Sequence, residues 1–328
     1  MPTTILASRY NTLRNDVNLV LGNSSSSNPT YGYGQGVSTN GVIGTRSVND
    51  PVNADKVSAQ DYEDLYIDIL RCRAHQIGAG SVTINDFVVG DYDTNLTDTD
   101  KIEETYIQTL EGLASTILSD RFTVDPLNLD ITASVPQASS SRPQQAWNGT
   151  ISHILTMTWP SAAARRHFFN AGGEIRFSAS VDYTGSQAKT VDWQTILAAM
   201  GSTSFKATNT VNNSGVGSGS NIGNHDLTSS YKLAYSRTGG AVYSRNRYYI
   251  YAKEYATGNS TSAIQFKVDF VDGAPNNVTY GIDENVFGEF NSNVGYATPN
   301  SSITINGQLY SAVTNIVEPT GTNITGLN

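Results

Sequence analysis

A change of hydrophobic period part-way along the chain constrains its fold more than any other feature. Before about residue 125 apolar side chains recur every three or four positions, whereas beyond about residue 145 they alternate. The first period buries one stripe of a helix and the second buries one face of a sheet, so a single uniform architecture is excluded.

Three helices are predicted in the first part. Tyr10, Leu13, Val17, Val20 and Leu21 share one helical face, and Gly22 closes the segment ahead of the polar stretch SSSSNPTYGYGQG. A second helix is expected behind Ser58, whose hydroxyl caps free amides while Asp61 reaches back. It carries Tyr62, Leu65, Tyr66, Ile69, Leu70 and the lone Cys72 towards Gly78. The third has Asp98 or Thr99 as cap and Ile102, Tyr106, Leu110, Leu113 and Ile117 as its stripe, ending near Arg121.

The first two helices share the pattern Y-x-x-L-x-x-D-[VI], met at Tyr10, Leu13, Asp16 and Val17 and again at Tyr62, Leu65, Asp68 and Ile69. The repeat suggests a paired helical hairpin with Tyr and Leu on the shared face and Asp at its rim, although two amphipathic helices can match by coincidence. Tyr10, Leu13, Val17, Tyr62, Leu65 and Ile69 are therefore the candidate interface residues, meeting either each other or another subunit.

Asp125-Pro126 and QASSSRPQQ mark a linker. Alternation follows: Ile151, His153, Leu155, Met157 and Trp159 occupy one parity of ISHILTMTW, with Ile154 interrupting the other so that a strand buried on both sides, or central, is expected. EIRFSASV, YKLAYSR, RYYIYAKEY and AIQFKVDFV repeat the theme, and TNTVNNSGVGSGSNIGNHD is read as a long flexible loop. The expectation is an α+β chain: residues 1–125 a helical docking and assembly region, 126–145 a linker, and 146–328 an antiparallel β-sandwich.

Composition narrows the chemistry. Only 15% of residues are charged and the net charge is −9, with no basic run longer than Arg165-Arg166, so a nucleic-acid groove is not expected. One cysteine cannot form an intrachain disulfide, and no apolar run is long enough for a membrane helix. The N-terminal residues lack the pattern of a signal peptide, so a soluble protein made in the cytoplasm is expected.

The stretch RRHFFNAGGEIRFSASV, residues 165–181, is where chemistry would most readily be sought. It reads as the end of a short helix begun in its first turn by Pro160, then a glycine corner at Gly172 and Gly173, then a strand. Phe168 and Phe169 plug the sandwich end and the arginines face outward on this reading. His167 has no metal-ligand or catalytic spacing to His75, His153 or His225, so a structural role is favoured. The glycines of 32–36 lack a phosphate-loop lysine, DYDTNLTDTD at 91–100 misses a calcium-loop spacing, and no G-x-S-x-G elbow occurs. No catalytic residue, metal site or cofactor is expected.

The run HILTMTWPSAAARRHFFNAGGEIRFSAS, preceded by the Tyr-Asn-x-Leu helix and the GYGQGV turn, resembles virion structural proteins of tailed phages, particularly those of marine and cyanobacterial hosts. The likeness covers about 30 residues well, the helical region loosely, and the part beyond about 205 in composition only. It implies a non-enzymatic, repeated subunit of the neck, tail or baseplate, made in the host cytoplasm and residing in the virion. Its partners would be other virion structural proteins and further copies of itself. The alternative is a carbohydrate-binding adhesin or receptor-binding protein taking a surface glycan. That alternative draws on Tyr243, Tyr248, Tyr249, Tyr251 and Tyr255; the simpler account has alternate members packing the core and the others facing water or a partner chain.

Overall fold

A computed structural model describes residues 7–21, 65–70, 72–73, 76, 104–120, 129–130, 138–143, 146–170, 172–257, 260–274, 285–299 and 317–327. The chain is α+β, with helices early and two antiparallel sheets later. It divides into two compact units. One comprises Met1–Asp130, Asn170–Gly172 and Pro299–Ile316; the other comprises Ile131–Phe169, Gly173–Thr298 and Val317–Asn328.

In the first unit, helix α1 (Ala7–Leu21), helical residues 65–70 and helix α2 (Glu104–Ser119) share one core. Tyr10, Leu13, Val17 and Val20 meet Leu65, Tyr66 and Ile69 and the α2 residues Ile107, Leu110, Leu113 and Ile117, all buried. The α2 stripe is shifted from the expected one. Ile107 is buried and Tyr106 only partly so, because the helix turns the isoleucine into the shared core. Arg9 clamps α1 to α2 through both carboxylates on the facing helix, at 2.6 Å to Glu104 and 2.8 Å to Glu111. Asp68 is not at a rim but 1% exposed, while Asp16 is half-buried, and desolvation holds its carboxyl above the usual range.

The second unit carries strands β1 (Ala138–Arg142), β2 (Gly149–Thr158), β3 (Glu174–Asp182), β4 (Ser202–Phe205), β5 (Thr210–Asn212), β6 (Lys232–Thr238), β7 (Arg247–Thr257), β8 (Ser260–Asp272), β9 (Glu289–Pro299) and β10 (Thr320–Thr325). Helix α3 (Ala162–Asn170) joins β2 to β3, and α4 (Ala188–Met200) joins β3 to β4. One sheet runs β1–β9–β3–β4–β5 and the other β10–β2–β8–β7–β6. Alternation sets the register: His153 and Ile250 both lie opposite Val268, and Tyr248 opposite Phe270, which puts one apolar set on one face. The sheets touch through Phe177 and Phe266 at 5.0 Å, Phe205 and Phe266 at 5.2 Å, and Phe270 and Phe290 at 5.4 Å between ring centres.

Four features differ from the sequence expectation. Serines 139–141, read as linker, form a strand on β9, because a backbone needs only a partner edge and not apolar side chains to pair. Residues 208–226 are ordered by hydrogen bonds rather than forming a structureless loop. Asn212 Nδ2 donates to the carbonyls of Met200 (2.8 Å) and Ser202 (3.1 Å), and the Thr210 hydroxyl donates to Ile222 O at 2.7 Å. β2 occupies an interior place in its sheet but is buried mainly on one face, with Ile154 only partly covered. The fourth is α4, an unanticipated helix. Its face Trp193, Ile196, Leu197 and Met200 is buried, and Gly201 (φ 57°) stops it with an amide bonded to Leu197 O.

Candidate binding surface

The residues flagged for chemistry in the 165–181 stretch are architectural. Ser161 caps α3 by accepting the Ala164 amide at 3.1 Å, so Pro160 precedes the cap and does not sit in the first helical turn. Phe168 and Phe169 are fully buried and pack with Trp159 at 5.4 and 5.5 Å. The arginines do not face outward. Arg165 is 6% exposed and donates to Ala263 O at 3.1 Å and Glu254 at 3.0 Å, and Arg166 is 9% exposed. Glu254, 89 positions away, draws Arg165 inward, a partner invisible in the local sequence.

His167 is 1% exposed, and burial first, then the neighbouring Arg166 charge, hold its imidazole down at about 4. The corner needs its glycines for two separate reasons. Gly172 has φ 93°, while a Cβ on Gly173 would lie 2.6 Å from both Phe168 O and the Phe168 ring.

The nearest thing to a hydrolytic relay lies between the sheets. His153 Nδ1 is 2.9 Å from Ser292 Oγ and its Nε2 is 2.8 Å from Asn323 Oδ1. Ser292 is 1% exposed and His153 fully buried, so no substrate reaches the hydroxyl; the set satisfies buried polar atoms. Among the described residues no group of three or more His, Cys, Asp or Glu side chains could hold a metal ion. The sequences at 32–36 and 91–100, and His75, lie outside the described residues.

Of the candidate interface residues, Tyr10, Leu13, Val17, Leu65 and Ile69 are all brought together, each at most 2% exposed within a single chain. They meet internal mates, and none lies on the outside of its unit. Tyr62 lies outside the described residues.

The tyrosine-rich strand separates by parity as alternation requires. Tyr248 is fully buried against Phe270 at 5.2 Å, whereas Tyr249, Tyr251 and Tyr255 are half-buried on the outward face. Tyr243 belongs to neither set and is buried in a short 3-10 turn.

The register places Tyr249 opposite Asp269, Tyr251 opposite Lys267 and Lys253 opposite Gln265. Tyr231 completes the surface, donating its hydroxyl to Gln265 Oε1 at 2.7 Å. Lys253 sits 4.7 Å from the Tyr231 ring centre, and Lys267 sits 4.6 Å from that of Tyr251. Asp269, tied to Lys267 at 2.7 Å and to the Ser152 hydroxyl at 2.6 Å, is the anchor beneath.

Burial, then the Asp269 charge and Tyr255, push the Tyr231 phenol up to about 12, and burial also raises Tyr251. The surface therefore offers phenol hydroxyls, ring faces and two lysine side chains, with the Asp269 carboxylate beneath them. Such a set can bind a partner. The sequence signal that finds it is the shared parity of Tyr249, Tyr251, Lys253 and Tyr255 along β7, while Lys267 joins through the pairing of β8 and Tyr231 through its bond to Gln265. No protein-family model, curated protein or solved structure matches this chain.

Proposed function

We propose that this chain is a non-enzymatic structural subunit of a tailed-phage virion, part of the neck, tail or baseplate, in which the two sheets form an antiparallel sandwich that presents the Tyr/Lys face to a neighbouring virion protein. The resemblance of residues 153–180 supplies the class. The single observation carrying the binding role is the outward lattice of Tyr231, Tyr249, Tyr251, Lys253, Tyr255 and Lys267. Tyrosine covers large area at small rotamer cost, which suits assembly contacts. Because the Tyr10/Leu13/Val17 stripe is consumed inside the helical unit, docking is assigned to the sheet face instead.

Half-exposed tyrosine rings favour one second reading, a surface glycan stacked on the same face. Quantitative mass spectrometry of purified virions tests the class: a fixed copy number per particle supports it, and absence from particles refutes it. The variant Tyr251→Ala/Lys267→Glu, checked for folding by tryptophan fluorescence, is expected to lose incorporation. Normal incorporation with lost binding to host-surface polysaccharide would move the assignment to the glycan reading.

A further inference from the structure

Lys189 and Asp272 form a charge pair shut away from solvent. Nζ lies 3.1 Å from Oδ2, and both side chains are 0% exposed. Lys189 is the second residue of α4 and Asp272 the last of β8, 83 positions apart. Trp193, one turn beyond Lys189, packs on Phe270 at 5.9 Å and Phe290 at 5.7 Å, and Phe270 shares the inward face of β8 with Asp272. Two ions in such aromatic surroundings have given up their hydration, which mutual attraction only partly repays.

Three details make the ionic form poorly supported. An ammonium in the first turn of a helix meets the positive end of the helix dipole. Burial raises the Asp272 carboxyl above its ordinary range despite the pull of Lys189. Asp272 Oδ1 makes no hydrogen bond among the described residues; the Ala274 amide, whose nearness favours the ionised form, donates to Asn246 Oδ1 at 3.1 Å instead. Reaction between the two requires transfer of one proton from Nζ to the carboxylate, which leaves an amine with a lone pair beside a carboxylic acid.

We propose that Lys189 and Asp272 condense into an intramolecular isopeptide bond. The Nζ lone pair attacks the Asp272 carboxyl carbon, the bond from that carbon to the hydroxyl oxygen breaks, and the hydroxyl leaves with an amine proton as water. Nothing is oxidised or reduced, and no co-reactant enters. Nζ is already held against the carboxyl group, 3.1 Å from Oδ2, so the two partners need no diffusional encounter. Ala274 O, 3.4 Å from Nζ, is placed to accept the N–H of the new amide. Condensation removes both buried charges and ties the first turn of α4 to the end of β8.

The test is the intact mass of the full chain, purified folded and measured after denaturation. The wild-type chain is expected to be lighter than its sequence mass by one water, and digestion should release a branched peptide joining Lys189 to Asp272. Lys189→Arg should restore the full mass. Asp272→Asn should fall short of its own sequence mass by one ammonia, because an amide leaving group replaces hydroxyl; an ion pair produces neither loss. A folded wild-type chain at full sequence mass after prolonged incubation, with both residues recovered in unlinked peptides, overturns the proposal. That measurement needs no variant to fold.

Discussion

Replacing His167 by Gln should flatten the acid limb of the stability of the β-rich unit. Burial and Arg166 hold the folded-state imidazole at about 4, against 6.5 for the free group. Below 6.5 the unfolded chain takes up a proton that the folded chain refuses, so stability is full above pH 6.5, declines as pH falls, and levels off below about 4. The gap between the two values corresponds to about 2 kcal/mol lost by pH 5 and about 3 kcal/mol in full. The three tryptophans of the chain, Trp147, Trp159 and Trp193, all lie in this unit, and Trp159 packs on Phe168 next to His167. Urea unfolding followed by tryptophan fluorescence at a series of pH values therefore reads the right unit. Other groups titrate in the same window, His153 among them, but they are common to both proteins, so the difference between wild type and His167→Gln isolates His167. Parallel curves for the two between pH 7 and pH 5 would refute the reasoning.

Gly173→Ala should destabilise the same unit by about 1–3 kcal/mol through its clash with the Phe168 carbonyl and ring, read from the urea midpoint of tryptophan fluorescence, and Gly172→Ala should cost the chain about 1–2 kcal/mol through backbone strain, read from the urea midpoints of far-UV circular dichroism. Leu13→Asp places a carboxylate in the helical core and should cost at least about 3 kcal/mol, lowering the far-UV helix signal while leaving the tryptophan transition in place. In alkaline spectrophotometric titration Tyr231 and Tyr296 should ionise late, near pH 12, with the fully buried Tyr248 later still, and Tyr231→Phe should remove one of these late phenols. Ionisation of every tyrosine near pH 10 would contradict the burial of these two hydroxyls.

The inward face of each long strand was legible because alternation survives a single polar intrusion: Ile175, Phe177, Ile264, Phe266, Val268 and Phe270 are buried as read. The glycine corner and the plugging phenylalanines were legible for the same local reason. Helix α4 carries a local stripe, Trp193, Ile196, Leu197 and Met200 closed by Gly201, but it is a single short helix set among strands, where alternation dominates the pattern. What stayed hidden depends on partners far along the chain. The burial of Arg165 requires Glu254, and the order of residues 208–226 comes from asparagine and threonine side chains bonding to the backbone of neighbouring segments. The binding face was half legible, since Tyr249, Tyr251, Lys253 and Tyr255 share β7, while Lys267 comes from β8 and Tyr231 from outside both strands.

Strand order also sets a schedule for synthesis. β2 is laid down early in its unit, yet the neighbour on one of its sides is β10, residues Thr320–Thr325, and Leu327 just beyond donates its amide to Ser140 Oγ at 2.8 Å. Until those residues leave the ribosome, one edge of β2 stands bare, with unpaired amides and carbonyls open to any passing strand. The nascent sheet must therefore wait, shielded or at low local concentration, for its final stave.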